Sequence, residues 1–143
     1  MDKRVILYVD GACRGNPGPG AIGVVIQNSK GHTILQISRY IGNTTNNKAE
    51  YRALIAALEE AARLGAQHLD IKTDSELLAR QLQQTYRVKS ATLRPLYQQA
   101  KELLTKFKSF GITHIPRENN TVADRLANEA LDNSTPRSRP SRT

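Results

Sequence analysis

Three apolar, β-branched segments separated by turn residues come first in this chain, and only afterwards do strands alternate with helices. That order narrows the fold more than any other feature. Residues 5–9, 21–27 and 33–41 read as strands. A glycine- and proline-punctuated turn, residues 11–20, joins the first two, with Pro17-Gly18 suited to a type II geometry. Residues 28–31, Asn-Ser-Lys-Gly, have hairpin chemistry. Residues 45–64 predict a long helix closed by Gly65. The remainder reads as a strand at 68–73, a helix at 75–83, a helix at 92–108 with Pro95 in its first turn, a strand at 112–115 and a last helix at 121–131. The order βββαβααβα predicts an α/β domain. Its sheet would be five-stranded and mixed, an antiparallel meander plus two parallel strands flanked by helices.

At 143 residues the chain suits one domain, taken as residues 1–132. Residues 133–143, NSTPRSRPSRT, hold no apolar side chain and three arginines, and read as a basic disordered tail. Apolar runs fall far short of the roughly 20 residues of a membrane span, and MDKRVILYVDG has no signal-peptide pattern, so the expected compartment is the cytoplasm and no membrane partner is expected. One cysteine, Cys13, excludes a disulfide framework and a cysteine-built zinc site. Twenty-one basic residues against 13 acidic ones favour a polyanionic partner, although a merely soluble basic protein would show the same surplus.

The acids carry more information than the bases. Asp10 ends one apolar strand and Asp74 ends another, and strand ends are where α/β sheets assemble ligand sites. Glu50 begins a helical stripe continued by Leu54, Ala57, Leu58 and Ala61, so a carboxylate shares the core-facing side of its helix. Asp124 lies in the first turn of the last helix beside Ala123, Leu126, Ala127 and Ala130. Each has an ordinary explanation except Glu50: Asp10 as a turn residue, Asp74 as an N-cap with Thr73 and Glu76 as a capping box, Asp124 as the acid of a capping box with Thr121. Together they suggest one cation site, because converging carboxylates repel unless a metal neutralises them. An all-oxygen set selects Mg²⁺, Mn²⁺ or Ca²⁺. In a basic protein that points to phosphodiester chemistry.

Four motifs in order, YVDGACRGNPGPGAIGVVI around Asp10, TTNNKAEYRALIAALE around Glu50, TDSELL around Asp74 and ADRLANEA around Asp124, resemble the type 1 ribonucleases H from about Lys3 to Leu131. The resemblance implies the ribonuclease H-like fold. It also implies a monomeric endonuclease that cleaves the RNA strand of RNA/DNA hybrids, leaving 5′-phosphate and 3′-hydroxyl ends. Asp10, Glu50, Asp74 and Asp124 match the carboxylates that hold two Mg²⁺ ions, Mn²⁺ substituting, with Asp10 shared and Glu50 also sensing a ribose 2′-hydroxyl. The same matching implies that Gly11, Cys13 and Gly15 approach the RNA backbone. Asn16, Asn46 and Asn47 would reach into the minor groove, Thr45 would bond a DNA phosphate, and Ser75 would lie beside the RNA strand.

The chain departs from the family at three places. Glu76 stands where many members carry glutamine. The loop before the last helix, PRENN, lacks the mobile histidine of many bacterial members, as in histidine-free archaeal-type members; Arg117 or Glu118 are the candidates to replace it, and His114 is read as a structural strand residue. No tryptophan-rich basic protrusion is present, so gripping of the duplex falls to Arg87, Lys89 and the other scattered bases. Two other functions share these motifs. One is a catalytically silent duplex-binding module, which would require a broken carboxylate. The other is a nuclease acting on double-stranded RNA, or the nuclease domain of a reverse transcriptase.

Overall fold

A computed structural model describes residues 3–84 and 87–134. Its strands are β1 (Arg4–Cys13), β2 (Gly18–Asn28), β3 (Thr33–Thr44), β4 (His68–Thr73) and β5 (Ser109–His114). Its helices are α1 (Asn46–Arg63), α2 (Glu76–Leu82), α3 (Arg94–Leu104) and α4 (Thr121–Ser134), with a short 3-10 turn, Arg117–Asn119, before α4. The strands form one sheet in the order β3-β2-β1-β4-β5, antiparallel from β3 to β1 and parallel from β1 to β5. This is the expected mixed sheet. Of the expected tail, Asn133 and Ser134 belong to α4, and residues 135–143 lie outside the described residues.

The first turn differs from its expected form. Gly11, Ala12 and Cys13 continue β1 opposite Ile22, Ala21 and Gly20, so the ten-residue turn shrinks to the segment between Cys13 and Gly18. Strand pairing overrides the weak β-propensity of these small residues. The Asn16–Pro17 bond is cis, and the positive φ falls on Gly15 rather than Gly18, so no type II turn forms. The Cys13 thiol donates towards the carbonyls of Gly15, at 2.7 Å, and Thr44, at 3.2 Å, which ties the turn to the end of β3. The hairpin at Asn28 is as expected: its side chain accepts from the Lys30 and His32 amides.

α1 covers one face of the sheet, with α2 and α3 packed around it, and α4 covers the other. Leu54, Ala57, Leu58 and Ala61, the stripe that begins at Glu50, are fully buried in one core with Leu7, Val9 and Ile71. Ala53, Ile55 and Ala56 are buried too, because neighbouring helices enclose the rest of α1. Tyr51 donates its hydroxyl to the buried Gln81, fastening α1 to α2.

Two glycines set how closely the helices approach the end of β1. A Cβ on Gly11 would fall 2.5 Å from the Glu50 backbone nitrogen, so α1 lies directly on the strand there. A Cβ on Gly23, the antiparallel partner of Asp10, would fall 1.9 Å from the Ala123 carbonyl oxygen of α4. No side chain fits at either contact. Gly23→Ala should therefore force α4 outward and destabilise the fold by about 2–3 kcal/mol, as overpacking does. The urea midpoint measures this, and an unchanged midpoint would show that α4 is not held at this contact.

Candidate active site

The end of β1 carries Asp10 into the space between the two helix layers, leaving it 5% exposed. Glu50, on the second turn of α1, reaches over Gly11, whose amide donates to Glu50 Oε1 at 3.2 Å. Asp74 follows the last residue of β4; Thr73 lies opposite Val9, so the two parallel strands deliver Asp10 and Asp74 side by side. One carboxylate oxygen from each of Asp10, Glu50 and Asp74 lies within 4.8 Å of the others. Asp124, from the first turn of α4, lines the same cleft of about 390 Å³, with Arg117 and Asn128 beside it. All four predicted acids therefore meet at one place, three of them tightly.

The alternative roles of these acids are filled by other residues. Ser75, not Asp74, caps α2, its hydroxyl accepting from the Leu78 amide at 3.2 Å. Thr73 accepts from the Ser75 amide and forms no capping box with Glu76, which pairs with Arg80 along the helix. The amide of Asp124 donates to the Asn120 carbonyl, and its carboxylate turns to the cleft.

Crowding and burial shift these groups together. Asp10 is pushed up to about 8, first by loss of water, then by the charges of Asp74 and Asp124. Glu50 is raised well above the usual carboxylate range, by burial and by Asp10 and Asp74. Asp74 is raised by burial, against the Asn120 side chain and the charges of Arg117 and His114, which favour its ionised form. His114 is exposed at the end of β5, opposite Thr73, and so lies at the rim of the site rather than in the core. The donor set is hard, all oxygen and short of countercharge, and it fits a divalent cation such as Mg²⁺ or Mn²⁺.

The predicted contact residues divide into two groups. Gly11, Cys13 and Asn46 line the cleft. Gly15, Asn16, Thr45, Asn47 and Ser75 are not among the cleft-lining residues and lie on the adjoining turn and helix starts. Several also have local tasks: Asn16 Oδ1 accepts from the first amide of α1, at Asn46, and Thr45 Oγ1 caps the same helix at Lys48. Arg117 sits 3.6 Å from Asp124, and Glu118 is exposed on the same turn.

Two asparagines were not legible beforehand. Asn120, 1% exposed, donates to the Val9 carbonyl at 2.9 Å and hydrogen-bonds Asp74, tying the start of α4 to two of the acid-bearing strands. In the sequence it reads only as a residue before a helix. Asn128 donates to Asp124 from one turn further along α4.

A family model described as "Reverse transcriptase-like" matches residues 8–130. A Ribonuclease HI of Halobacterium salinarum is 47% identical over 92% of this chain and 66% of its own length. The crystal structure of RNase H1 from the same archaeon superposes with a TM-score of 0.90 at 47% identity, covering 92% of this chain and 99% of that one. LC11-RNase H1, solved in complex with an RNA/DNA hybrid, superposes with a TM-score of 0.87 at 44% identity, covering 91% and 98%. Among the first curated relatives the chain spans between 36% and 66% of their length.

The raised carboxylates fix the sign of one pH dependence. Without metal, the native chain holds protons that the unfolded chain releases above its ordinary carboxylate range. Stability in EDTA should therefore fall as pH rises from about 4 to about 8. Asp10→Asn should flatten the slope and raise stability at pH 8 by at least about 1 kcal/mol, less than one pKa unit of relief. Thermal melts at pH 5 and pH 8 would check this; parallel curves for the two proteins would contradict the crowding.

Proposed function

We propose, since this chain belongs to the type 1 ribonuclease H family, that it hydrolyses the RNA strand of RNA/DNA hybrids with two Mg²⁺ ions, Mn²⁺ substituting, and leaves 5′-phosphate and 3′-hydroxyl ends. The observation that carries this reading is the convergence of Asp10, Glu50 and Asp74 in a cleft that Asp124 also lines. Asp10, Glu50, Asp74 and Asp124 would hold the ions. The ions would supply an activated water and neutralise charge at the leaving oxygen.

The chain's own residues account for the rest. Asp10 is buried, and the Gly11 amide orients Glu50. Asn120 holds Asp74 against β1 and thereby sets the spacing of two acids. Gly11, Cys13, Gly15, Asn16, Thr45, Asn46, Asn47 and Ser75 would follow the minor groove of the duplex, where an A-like helix presents its 2′-hydroxyls. Asn16 Oδ1 is engaged with the Asn46 amide, which leaves its Nδ2 as the group to offer a nucleic acid. Basic residues outside the cleft, Arg87 and Lys89 among them, would take the phosphates.

Strand-labelled RNA/DNA, RNA/RNA and DNA/DNA duplexes of one sequence, compared in Mg²⁺, Mn²⁺ and EDTA, test the reading. Cleavage confined to the RNA strand of the hybrid, lost in EDTA and reduced at least about 100-fold by Asp10→Asn, is expected. Faster cleavage of RNA/RNA would establish the double-stranded RNA reading instead, and undiminished cleavage by Asp10→Asn would remove the metal-site assignment.

The loop before α4 is open to a second test. Arg117 places an exposed cation beside Asp124, where it could draw an anionic product away from the acids; Glu118 on the same turn could order a water. Arg117→Ala should lower kcat about tenfold, which corresponds to the loss of about 1.4 kcal/mol of electrostatic help. If Arg117→Ala and Glu118→Ala both turn over like the parent, the loop has no part in the reaction.

A further inference from the structure

Asp124 is held differently from the other three acids. It stands outside the mutually close Asp10–Glu50–Asp74 set but hydrogen-bonds Asp10 through its side chain, and its Oδ1 lies near two further side chains, the Arg117 guanidinium at 3.6 Å and Asn128 Nδ2 at 3.3 Å. These anchors are unequal. Arg117 extends from an exposed 3-10 turn with its side chain 78% exposed, so solvent screens the pair. Asn128 is half-buried on α4, and its Nδ2 also donates to the Asp124 carbonyl at 2.9 Å, which fixes the amide in place.

The backbone beneath Asn128 lies directly on the sheet. A Cβ on Gly23 would meet the Ala127 nitrogen at 2.8 Å as well as the Ala123 carbonyl, so the turn of α4 from Asp124 to Asn128 is seated directly on β2. Helix stability gives no reason for an asparagine here. Its side chain competes for backbone hydrogen bonds, and alanine favours a helix more. An amide donor does have one advantage beside a carboxylate: it orients the group without cancelling its charge.

We propose that Asn128 is a positioning residue that holds the Asp124 carboxylate towards the Asp10 cluster, so that the second cation meets an oriented oxygen. The proposal rests on the two-metal reading above. Donors behind a metal ligand act in this way by restricting the ligand's orientation, and their loss weakens metal binding or activity by about ten- to a hundredfold.

Asn128→Ala and Asn128→Gln, each in the full chain, test it. Mg²⁺ binding is read by calorimetry at pH 8 without nucleic acid, melting is read in EDTA, and hybrid cleavage is followed with kcat and KM separated. For Asn128→Ala, Mg²⁺ affinity should fall about tenfold and kcat by a similar factor, with KM for the hybrid within about twofold. The melting temperature in EDTA should stay level or rise, which a purely structural role would not allow. Asn128→Gln, which keeps an amide donor, should recover part of both losses. Unchanged Mg²⁺ affinity in Asn128→Ala beside an active parent overturns this proposal alone, and so does a melting temperature that falls in step with activity. A parent chain that neither binds Mg²⁺ nor cleaves the hybrid overturns the two-metal reading and this proposal with it.

Discussion

The approach of α1 and α4 to the end of β1 is the constraint on which the rest of this structure depends. Gly11 lets the α1 backbone lie on the strand, and Gly23 does the same for α4 from the opposite face. Two side chains fewer bring Glu50 and Asp124 to Asp10, which could not otherwise be reached from both layers at once. The parallel pairing of β1 with β4 adds Asp74 from the side. The cleft is therefore a product of backbone contact; Asp10, Glu50 and Asp124 sit on strands and helices, and Asp74 directly follows the end of β4.

That arrangement works against stability. Buried carboxylates at this spacing hold protons far above their ordinary range, and Asp10 reaches about 8. The fold offsets part of the repulsion locally. The Gly11 amide faces Glu50, the Asn120 side chain faces Asp74, and Arg117 faces Asp124. None of these cancels the charge, and that incompleteness is what fits the cleft to a cation: full neutralisation by arginines would leave no net negative charge to attract one. The same reasoning reframes the basic composition. With several acids withdrawn into one cleft, the outer surface is more basic than the overall balance of 21 to 13 suggests.

The element order, the mixed sheet and the core stripe of α1 were readable in advance because each follows from local periodicity: Leu54, Ala57, Leu58 and Ala61 recur at helical spacing and are buried. The first turn departs from its sequence pattern because Gly11 to Cys13 have no strand-like character of their own and take it from their partners on β2. Asp74 was ambiguous with a helix cap until the structure gave that task to Ser75. Asn120 carries no local signal, because its importance comes from Val9 and Asp74 across space; Asn128 stands at i,i+4 spacing from Asp124 on one helix, and only the structure shows that this face of α4 meets the cleft.

By itself the sequence determined which acids are exceptional and on which element each rides. An acid at the end of an apolar strand or on an apolar helix face conflicts with local physics, and such conflicts are visible residue by residue. Only the tertiary structure decided how close the acids come and which neutral groups steer them. Those distances depend on contacts between segments far apart in the chain, Gly23 against Ala123 and Asn120 against Val9, and no local pattern encodes a separation of that kind.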